Sequence, residues 1–403
     1  MRVLALTNLY PSPLLPHRAP FNRDLLHFLS LAHQVRVIAP IEWVDEIRAR
    51  RRGAGGLPRD RVVELDGLTV AHPWYFYPSR VLRGYYGHFY RTCVRRAFSQ
   101  AITEFRPDIV FTAWAYPDGW AGVQLSRRYG LPVVVLVHGS DVLLGGEIPG
   151  RSGRTREALR SADGVVAVSQ DLASHLVGMG VRPDRVRVNY LGIDRDLFCP
   201  GPRDEARGKL GLQGSAAQLL FIGNLVPVKA VHDLIAACAV LKANGRAFHL
   251  NIVGQGVLRE ALERQVADAG LGSSVTFRGS LPRPALPDWY RAADLLVLPS
   301  LSEGVPTVVM EAAACGLPFV ATRVGGTAEI AHIGQSRLVE SGRPQELAEA
   351  IAAELERPRS SSPGPGPRRR EESAAEIGQY LTEVAARWAT AGRRRRLVPP
   401  APS

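Results

Sequence analysis

Apolar runs of strand length alternate with amphipathic stretches of helix length from the first residues onward, and the alternation occurs in two series along the chain. That pattern predicts doubly wound α/β sheets. The first series places strands at 3–7, 35–39, 108–113, 133–137, 164–168 and 186–189, with helices between most of them. The second places strands at 218–223, 249–254, 275–279, 294–299 and 318–322. Between the series lies a Gly- and Pro-rich stretch of weak periodicity, read as an interdomain linker. A chain of 403 residues has room for two domains of ordinary size, each with its own core. The expected organisation is an N-terminal Rossmann-like domain over 1–195, a linker over 196–217 and a second Rossmann-like domain over 218–356. A disordered Pro/Ser/Arg linker over 357–372 and a C-terminal helix with a basic tail over 373–403 complete it.

Composition narrows the class. The chain is 46% hydrophobic and 22% charged, as globular proteins are. No apolar run reaches the roughly 18 residues of a membrane-spanning helix, and Met1 leads directly into the strand-like RVLAL, which reads as a cytoplasmic protein, soluble or peripheral. Cys93, Cys199, Cys238 and Cys315 are scattered without C-x-x-C spacing and read as buried thiols rather than bridges or metal ligands. The net charge of +12 is carried almost wholly by arginine, since lysine occurs only at 209, 229 and 242. Residues 1–195 hold 26 arginines and no lysine against 17 acidic residues, about three quarters of the net charge. Such a surface attracts anionic partners. The recognition modules of nucleic-acid-binding proteins are missing, which leaves an anionic membrane surface or an anionic glycan as the partner to expect. Candidates for that contact are Arg48, Arg50, Arg51 and Arg52, in a basic Gly-rich loop over 48–61, and Arg91, Arg95 and Arg96 on a helix within 82–105.

The chemistry concentrates in the second series. In LPSLSEGVPTVVMEAAACGLPFVATRVGGTAEI, residues 298–330, a strand runs into a loop carrying Glu303, Gly304 and Val305, and a helix opens after Pro306. Glu303 falls at the carboxyl end of a strand, where open α/β sheets bind ligands, and Glu311 about one turn into the helix. The two carboxylates can meet one elongated ligand at different points, and the amides at the helix start can meet a phosphate. In FIGNLVPVKA, residues 221–230, a second strand-to-helix junction carries Gly223, Asn224 and Lys229. An ammonium at a positive helix entrance is unfavourable without an anion nearby, which points to a diphosphate. Gly254 and Gly256 make a third tight turn, a weak signal alone that fits NAD or no ligand equally. Asp194 and Asp196 have D-x-D spacing but no further oxygen ligands nearby, so no metal is expected.

Taken together, these stretches resemble the retaining GT-B glycosyltransferases of glycosyltransferase family 4. The resemblance spans most of residues 1–350 and rests on Glu303 and Glu311 with seven residues between them, on Gly223 to Lys229, on His138-Gly139-Ser140-Asp141 and on Gly325-Gly326-Thr327-Ala328-Glu329. It implies two Rossmann-like domains facing across a cleft, with the nucleotide-diphosphate sugar held by the C-terminal one. Glu311 would accept from the ribose hydroxyls, Lys229 would neutralise the diphosphate, and Glu303 would grip a sugar hydroxyl. Gly304 and Val305 amides would hold phosphate or sugar oxygens, while Gly223, Asn224, Gly254 and Gly256 would wall the nucleotide. His138 would reach the donor sugar from the N-terminal domain, and Phe21 and Asp141 would lie on the acceptor side. The implied activity is metal-independent transfer, with no cofactor, of a sugar to a glycan or lipid-linked acceptor at the inner face of the plasma membrane, with retention. A catalytically idle nucleotide-sugar-binding subunit and a sugar-nucleotide epimerase are the alternatives. Three departures from the family pattern stand out: Asn224 where Arg is frequent, alanines at Ala19 and Ala230 where glycine is usual, and the Pro/Ser/Arg linker near the C-terminus.

Overall fold

The computed structural model describes residues 1–16, 18–53, 55–76, 85–143, 151–212, 214–358 and 364–397, with side chains described up to 391. The chain divides into two compact units, Met1–Leu191 with Arg370–Ser403, and Gly192–Arg369.

In the first unit the strands are β1 (Arg2–Leu6), β2 (Gln34–Ile38), β3 (Ile41–Glu42), β4 (Val62–Leu65), β5 (Leu68–Ala71), β6 (Trp74–Tyr75), β7 (Ile109–Ala113), β8 (Val133–Val137), β9 (Gly164–Ala167) and β10 (Val186–Val188). Eight of them form one sheet in the order β10-β9-β8-β7-β1-β2-β5-β4. It is parallel except for the β4–β5 hairpin at one edge. β7 and β8 are buried at every residue, as expected of central parallel strands covered on both faces. β3 and β6 pair separately.

The second unit carries β11 (Ala217–Ile222), β12 (Phe248–Val253), β13 (Val275–Gly279), β14 (Leu295–Leu298), β15 (Phe319–Thr322) and β16 (Ser336–Val339). They form an all-parallel sheet in the order β13-β12-β11-β14-β15-β16, with Leu219 opposite Leu295. The winding direction reverses between β11 and β14. In sheets of this kind ligands bind beyond the carboxyl ends of the strands on either side of such a reversal. The corresponding reversal in the first sheet lies between β1 and β7.

Three stretches differ from the sequence reading. The basic segment over 48–61 is helical at its start, because helix Trp43–Arg51 runs into it and is tied down by Glu46, which is buried under Arg50, Arg61 and Trp74 Nε1. Within residues 196–217 the helix Arg203–Leu210 is fixed to the second unit: Arg203 and Arg207 both pair with Asp294, whose carboxylate also receives the Gln218 amide. The Pro/Ser/Arg stretch over 357–372 lies outside the described residues at 359–363. From 364 onward it is held against the second unit, with the Ile193 amide donating to Arg368 O at 3.0 Å and the Gly366 amide to Ile333 O at 3.2 Å.

The C-terminal helix, Arg370–Leu397, returns to the first unit. Ala374, Ile377, Leu381 and Val384 are buried at the three-and-four spacing of one helix face. Ser373 Oγ donates to Asn189 Oδ1 at 2.6 Å, and Tyr380 Oη to Arg185 O at 2.6 Å. Arg370 pairs with Asp24. Residues 398–403 of the expected basic tail lie outside the described residues, as do residues 82–84 of the expected 82–105 helix, which runs from Tyr86 to Glu104. No described helix is long and apolar enough to cross a membrane.

Candidate active site

The loops after β11 and β14, the two strands flanking the reversal, carry the residues that the spacing singled out. After β11 a short turn, Pro227–Lys229, delivers Lys229 to the start of helix Val231–Ala243. After β14 the chain passes through Glu303, Gly304 and Val305 into helix Thr307–Ala314. The Leu301 amide donates to Val228 O at 2.8 Å, so the two loops are fixed to each other by backbone. Across that junction Lys229 Nζ donates to Glu303 Oε1 at 2.5 Å, both side chains half-buried or deeper.

Two glycine turns lock these loops from either side. Gly254, at φ 141°, sits where a Cβ would overlap the Gly223 carbonyl oxygen, and the Gly223 amide donates back to Val253 O at 3.0 Å. Gly256 continues that turn, and Gln255 O accepts from the Leu225 amide at 2.9 Å. On the far side Gly325, at φ 48°, lies against the Glu303 carbonyl oxygen, again with no room for a Cβ. The Gly326 amide donates to Gly304 O at 2.9 Å. Backbone position at Glu303 is therefore set by a loop more than twenty residues away. Asn224 is exposed beside Gly223, and Val305 is half-buried.

Glu311 is buried in the second turn of its helix. Tyr290 Oη donates to its Oε2 at 2.8 Å, and Arg283 Nη2 lies 3.6 Å from Oε1. Burial pushes its carboxyl up to about 7, against the pull of Arg283 and the Tyr290 hydroxyl in the other direction. Tyr290 packs edge-on against Phe198, and the Arg283 guanidinium lies over the same Phe198 ring. Tyr290 and Arg283 are absent from the sequence reading. In DWYRAADLL the tyrosine looks like any apolar helix position, and only the folded register shows its hydroxyl on the carboxylate.

In the first unit, Phe21 lies in the first turn of helix Pro20–Ser30 and His138 in the loop after β8, with ring centroids 5.0 Å apart, and Trp114, after β7, lies 6.0 Å from His138. Burial drives the His138 imidazole down to about 4, so it is neutral at pH 7, and among the described residues its buried Nε2 has no hydrogen-bond partner. Asp141 is fully buried and accepts from the amides of His138 and Gly139 at 3.0 Å and of Ala115 at 2.9 Å. Those bonds hold the His138 loop to the loop after β7. Desolvation raises the Asp141 carboxyl to about 6 despite them.

Both alanines noted in the sequence adopt left-handed backbone at a helix start, Ala19 at φ 44° and Ala230 at φ 45°. Asp194 and Asp196 are engaged locally: Asp194 Oδ1 accepts the amides of Asp196 and Leu197, and Asp196 pairs with Arg369 at 3.1 Å. Among the described residues no group of three or more His, Cys, Asp or Glu is arranged to hold a metal ion.

Comparison with known proteins decides the family. The pattern of Glycosyltransferase Family 4 matches residues 22–197, and that of Glycosyl transferases group 1 matches residues 202–374. The D-inositol 3-phosphate glycosyltransferase 1 of Catenulispora acidiphila is 35% identical over 325 residues, 74% of this chain and 75% of that one. The chain belongs to the family 4 glycosyltransferases. The D-inositol 3-phosphate glycosyltransferase of Frankia alni is 33% identical over a shorter stretch, 60% of this chain and 64% of its own. Among solved structures, sucrose-phosphate synthase from Thermosynechococcus elongatus matches with TM-score 0.73 at 22% identity, covering 98% of this chain and 99% of that one. Anabaena HepE in complex with UDP-glucose matches with TM-score 0.68 at 20% identity, covering 98% and 100%. These likenesses establish the GT-B fold of two Rossmann-like domains. As a family 4 glycosyltransferase, the protein is an enzyme that transfers a sugar from a nucleotide-diphosphate sugar to an acceptor.

Proposed function

We propose that the second unit holds the donor at the reversal between β11 and β14 and that transfer proceeds with retention. Lys229 takes the diphosphate, Glu311 accepts from the ribose hydroxyls, and Glu303 accepts from a hydroxyl of the donor sugar. Gly304 and Val305 amides meet phosphate or sugar oxygens, and the turns at Gly223, Asn224, Gly254 and Gly256 wall the nucleotide. The observation that supports this most is the junction itself, where Lys229 and Glu303 pair on loops fixed to each other by backbone hydrogen bonds and Glu311 follows in the adjoining helix. Fixed charges of this kind stabilise charge that grows on a leaving group without reorganising. As the glycosidic C–O bond breaks, the departing diphosphate oxygen takes the proton of the incoming acceptor hydroxyl on the same face of the sugar, so Lys229 and the amides supply the charge stabilisation without a metal. His138, neutral and with Nε2 free to donate or accept, bonds a substrate hydroxyl, and Phe21 lines the acceptor side with Asp141 holding that loop in place.

For the acceptor we infer a glycan or lipid-linked molecule in surface glycan synthesis, met at an anionic cytoplasmic membrane face. Supporting this, Ile47, Trp74 and Phe76 are exposed apolar residues along the same helix Trp43–Arg51, with Phe76 against Trp43 at its start, 5.5 Å between ring centroids, and Trp74 bonded to Glu46. Of the candidate cations, Arg48 and Arg50 pair with Asp45 and Glu46, whereas Arg51, Arg52, Arg95 and Arg96 are exposed. Each exposed cation near anionic lipid contributes roughly 1 kcal/mol, lost beyond a Debye length of about 8 Å. D-inositol 3-phosphate, which the name of the Catenulispora acidiphila relative carries, is the second reading, favoured by the 35% identity.

The donor reading is tested by thermal shift against a panel of nucleotide sugars, followed by transfer assays in EDTA with the product anomer read by NMR. One nucleotide sugar raising the melting temperature and a product of unchanged anomeric configuration are expected. An inverted product, or activity that returns only with added magnesium or manganese, contradicts the mechanism. Flotation with phosphatidylglycerol and phosphatidylcholine vesicles tests the surface. Binding to the anionic vesicles that weakens in high salt supports it, and equal behaviour with both points to a soluble acceptor such as D-inositol 3-phosphate.

A further inference from the structure

The Lys229–Glu303 ion pair has a consequence beyond the donor-site reading on which it rests. The cation assigned to the diphosphate is paired in the structure with the carboxylate assigned to the sugar. We propose that donor binding exchanges these partners, and that the exchange makes Glu303 the residue that discriminates the nucleotide sugar from the free nucleoside diphosphate left after transfer.

Glu303 is largely buried and Lys229 half-buried, so leaving either charge without a partner is costly. When a nucleotide sugar binds, the ammonium passes to the diphosphate and the carboxylate passes to a sugar hydroxyl, so both groups end with a partner. When the free nucleoside diphosphate binds, the ammonium is drawn away in the same manner but no sugar hydroxyl reaches Glu303. The buried carboxylate is then left short of a hydrogen bond beside an anion. The product is thereby held more weakly than its contacts with Lys229 alone would give, which favours its release.

The backbone permits this exchange by side-chain motion alone. Leu301 is bonded to Val228, and Gly304 to Gly326, and the Glu303 carbonyl lies against Gly325. Both loops are thus fixed, while the flexible four-carbon stem of Lys229 can swing the ammonium between two acceptors. Glu311 does not take part in the pair, since its carboxylate stands apart from it, bonded by Tyr290 and facing the partly exposed Arg283.

The test is a double-mutant cycle read by calorimetric titration of UDP, GDP and ADP, and of UDP-glucose, GDP-mannose and ADP-glucose, into wild type, Glu303→Gln, Lys229→Gln and the double variant. For the nucleoside diphosphate that binds, Glu303→Gln is expected to tighten affinity about tenfold, by releasing Lys229 from its internal partner. Lys229→Gln is expected to weaken it at least about tenfold. The gain from Glu303→Gln must vanish in the Lys229→Gln background, since there is no ammonium left to release. The ratio of nucleotide-sugar to nucleoside-diphosphate affinity must fall in Glu303→Gln. A gain that persists without Lys229 reports simple removal of a negative charge near an anion and overturns the exchange, as does the absence of any gain. Unchanged affinity in Lys229→Gln overturns the donor-site reading itself. Glu303→Ser, which removes the carboxylate with a smaller side chain, must reproduce the direction of Glu303→Gln.

Discussion

The two Rossmann-like units place side chains at equivalent positions, beyond the strand ends at a reversal of winding, yet prepare them differently. In the second unit each carboxylate already has a donor: Glu303 has Lys229, and Glu311 has Tyr290 with Arg283 close by. In the first unit the group that opens the loop after β8 is a neutral imidazole whose buried Nε2 has no partner among the described residues, held in position by a buried aspartate that accepts from three backbone amides. One site manages charge, and the other offers an uncharged hydrogen-bonding group between aromatic rings. In the proposed reading the first arrangement meets a nucleotide diphosphate, and the second meets sugar hydroxyls.

The sharpest way to break this contrast is to remove the cation. Lys229→Gln should lower kcat/KM by roughly a hundredfold to a thousandfold, the usual cost of deleting one fixed stabiliser of developing charge. His138→Gln, which keeps a hydrogen-bonding side chain, should cost far less than His138→Leu, about tenfold against a hundredfold. With its imidazole near 4, His138 should contribute no titration to the rate between pH 6 and 8. Equal losses for the glutamine and leucine variants would show that the ring serves only packing.

A smaller effect is expected at Glu311. Burial pushes its carboxyl up to about 7, and in the proposed reading the ribose hydroxyls donate to its ionised form. Donor affinity should therefore be full above pH 7 and decline as pH falls, because binding must then expel a proton. Tyr290→Phe removes a hydrogen bond to the ionised form. It should raise the midpoint of that decline and weaken donor binding at pH 7 by about tenfold, with kcat little changed. A pH-independent donor KM between pH 5 and 8 would contradict the assignment.

The smallest effect is conformational. Left-handed backbone costs a residue with a Cβ about 1–2 kcal/mol, and glycine loses roughly 0.5–1 kcal/mol to its more flexible unfolded chain. Ala230→Gly and Ala19→Gly should thus be neutral to about 1 kcal/mol more stable, seen as a melting temperature unchanged or raised by a few degrees. A lower melting temperature in both would show that the surrounding loops already relieve the strain.

How far the sequence revealed all this depends on the kind of signal. Every strand read from apolar runs falls within one residue of its observed bounds; most are central parallel strands, which must be apolar on both faces, and only β10 and β13 among them lie at an edge. The β4–β5 hairpin was missed because an edge hairpin is short and polar on one side, and β16, with its Ser and Arg, for the same reason. The arginine run at 48–52 masked the end of a helix whose anchor, Glu46, lies just before it. The loop-then-helix placement of Lys229, Glu303 and Glu311 was legible because that spacing is local. The Lys229–Glu303 pair and the bond from Tyr290 to Glu311 were not, because they join residues 74 and 21 positions apart and depend on which strands are neighbours. The two alanines in place of glycine were visible as departures, and the fold gives them a physical meaning.

The central claim is that the second unit binds the donor through the loops after β11, β12 and β14. Hydrogen–deuterium exchange with and without the nucleotide sugar that gives the largest thermal shift tests it directly. Protection is expected over residues 221–231, 253–258 and 299–312. Protection confined to the first unit, or none in those three segments under saturating donor, would contradict it.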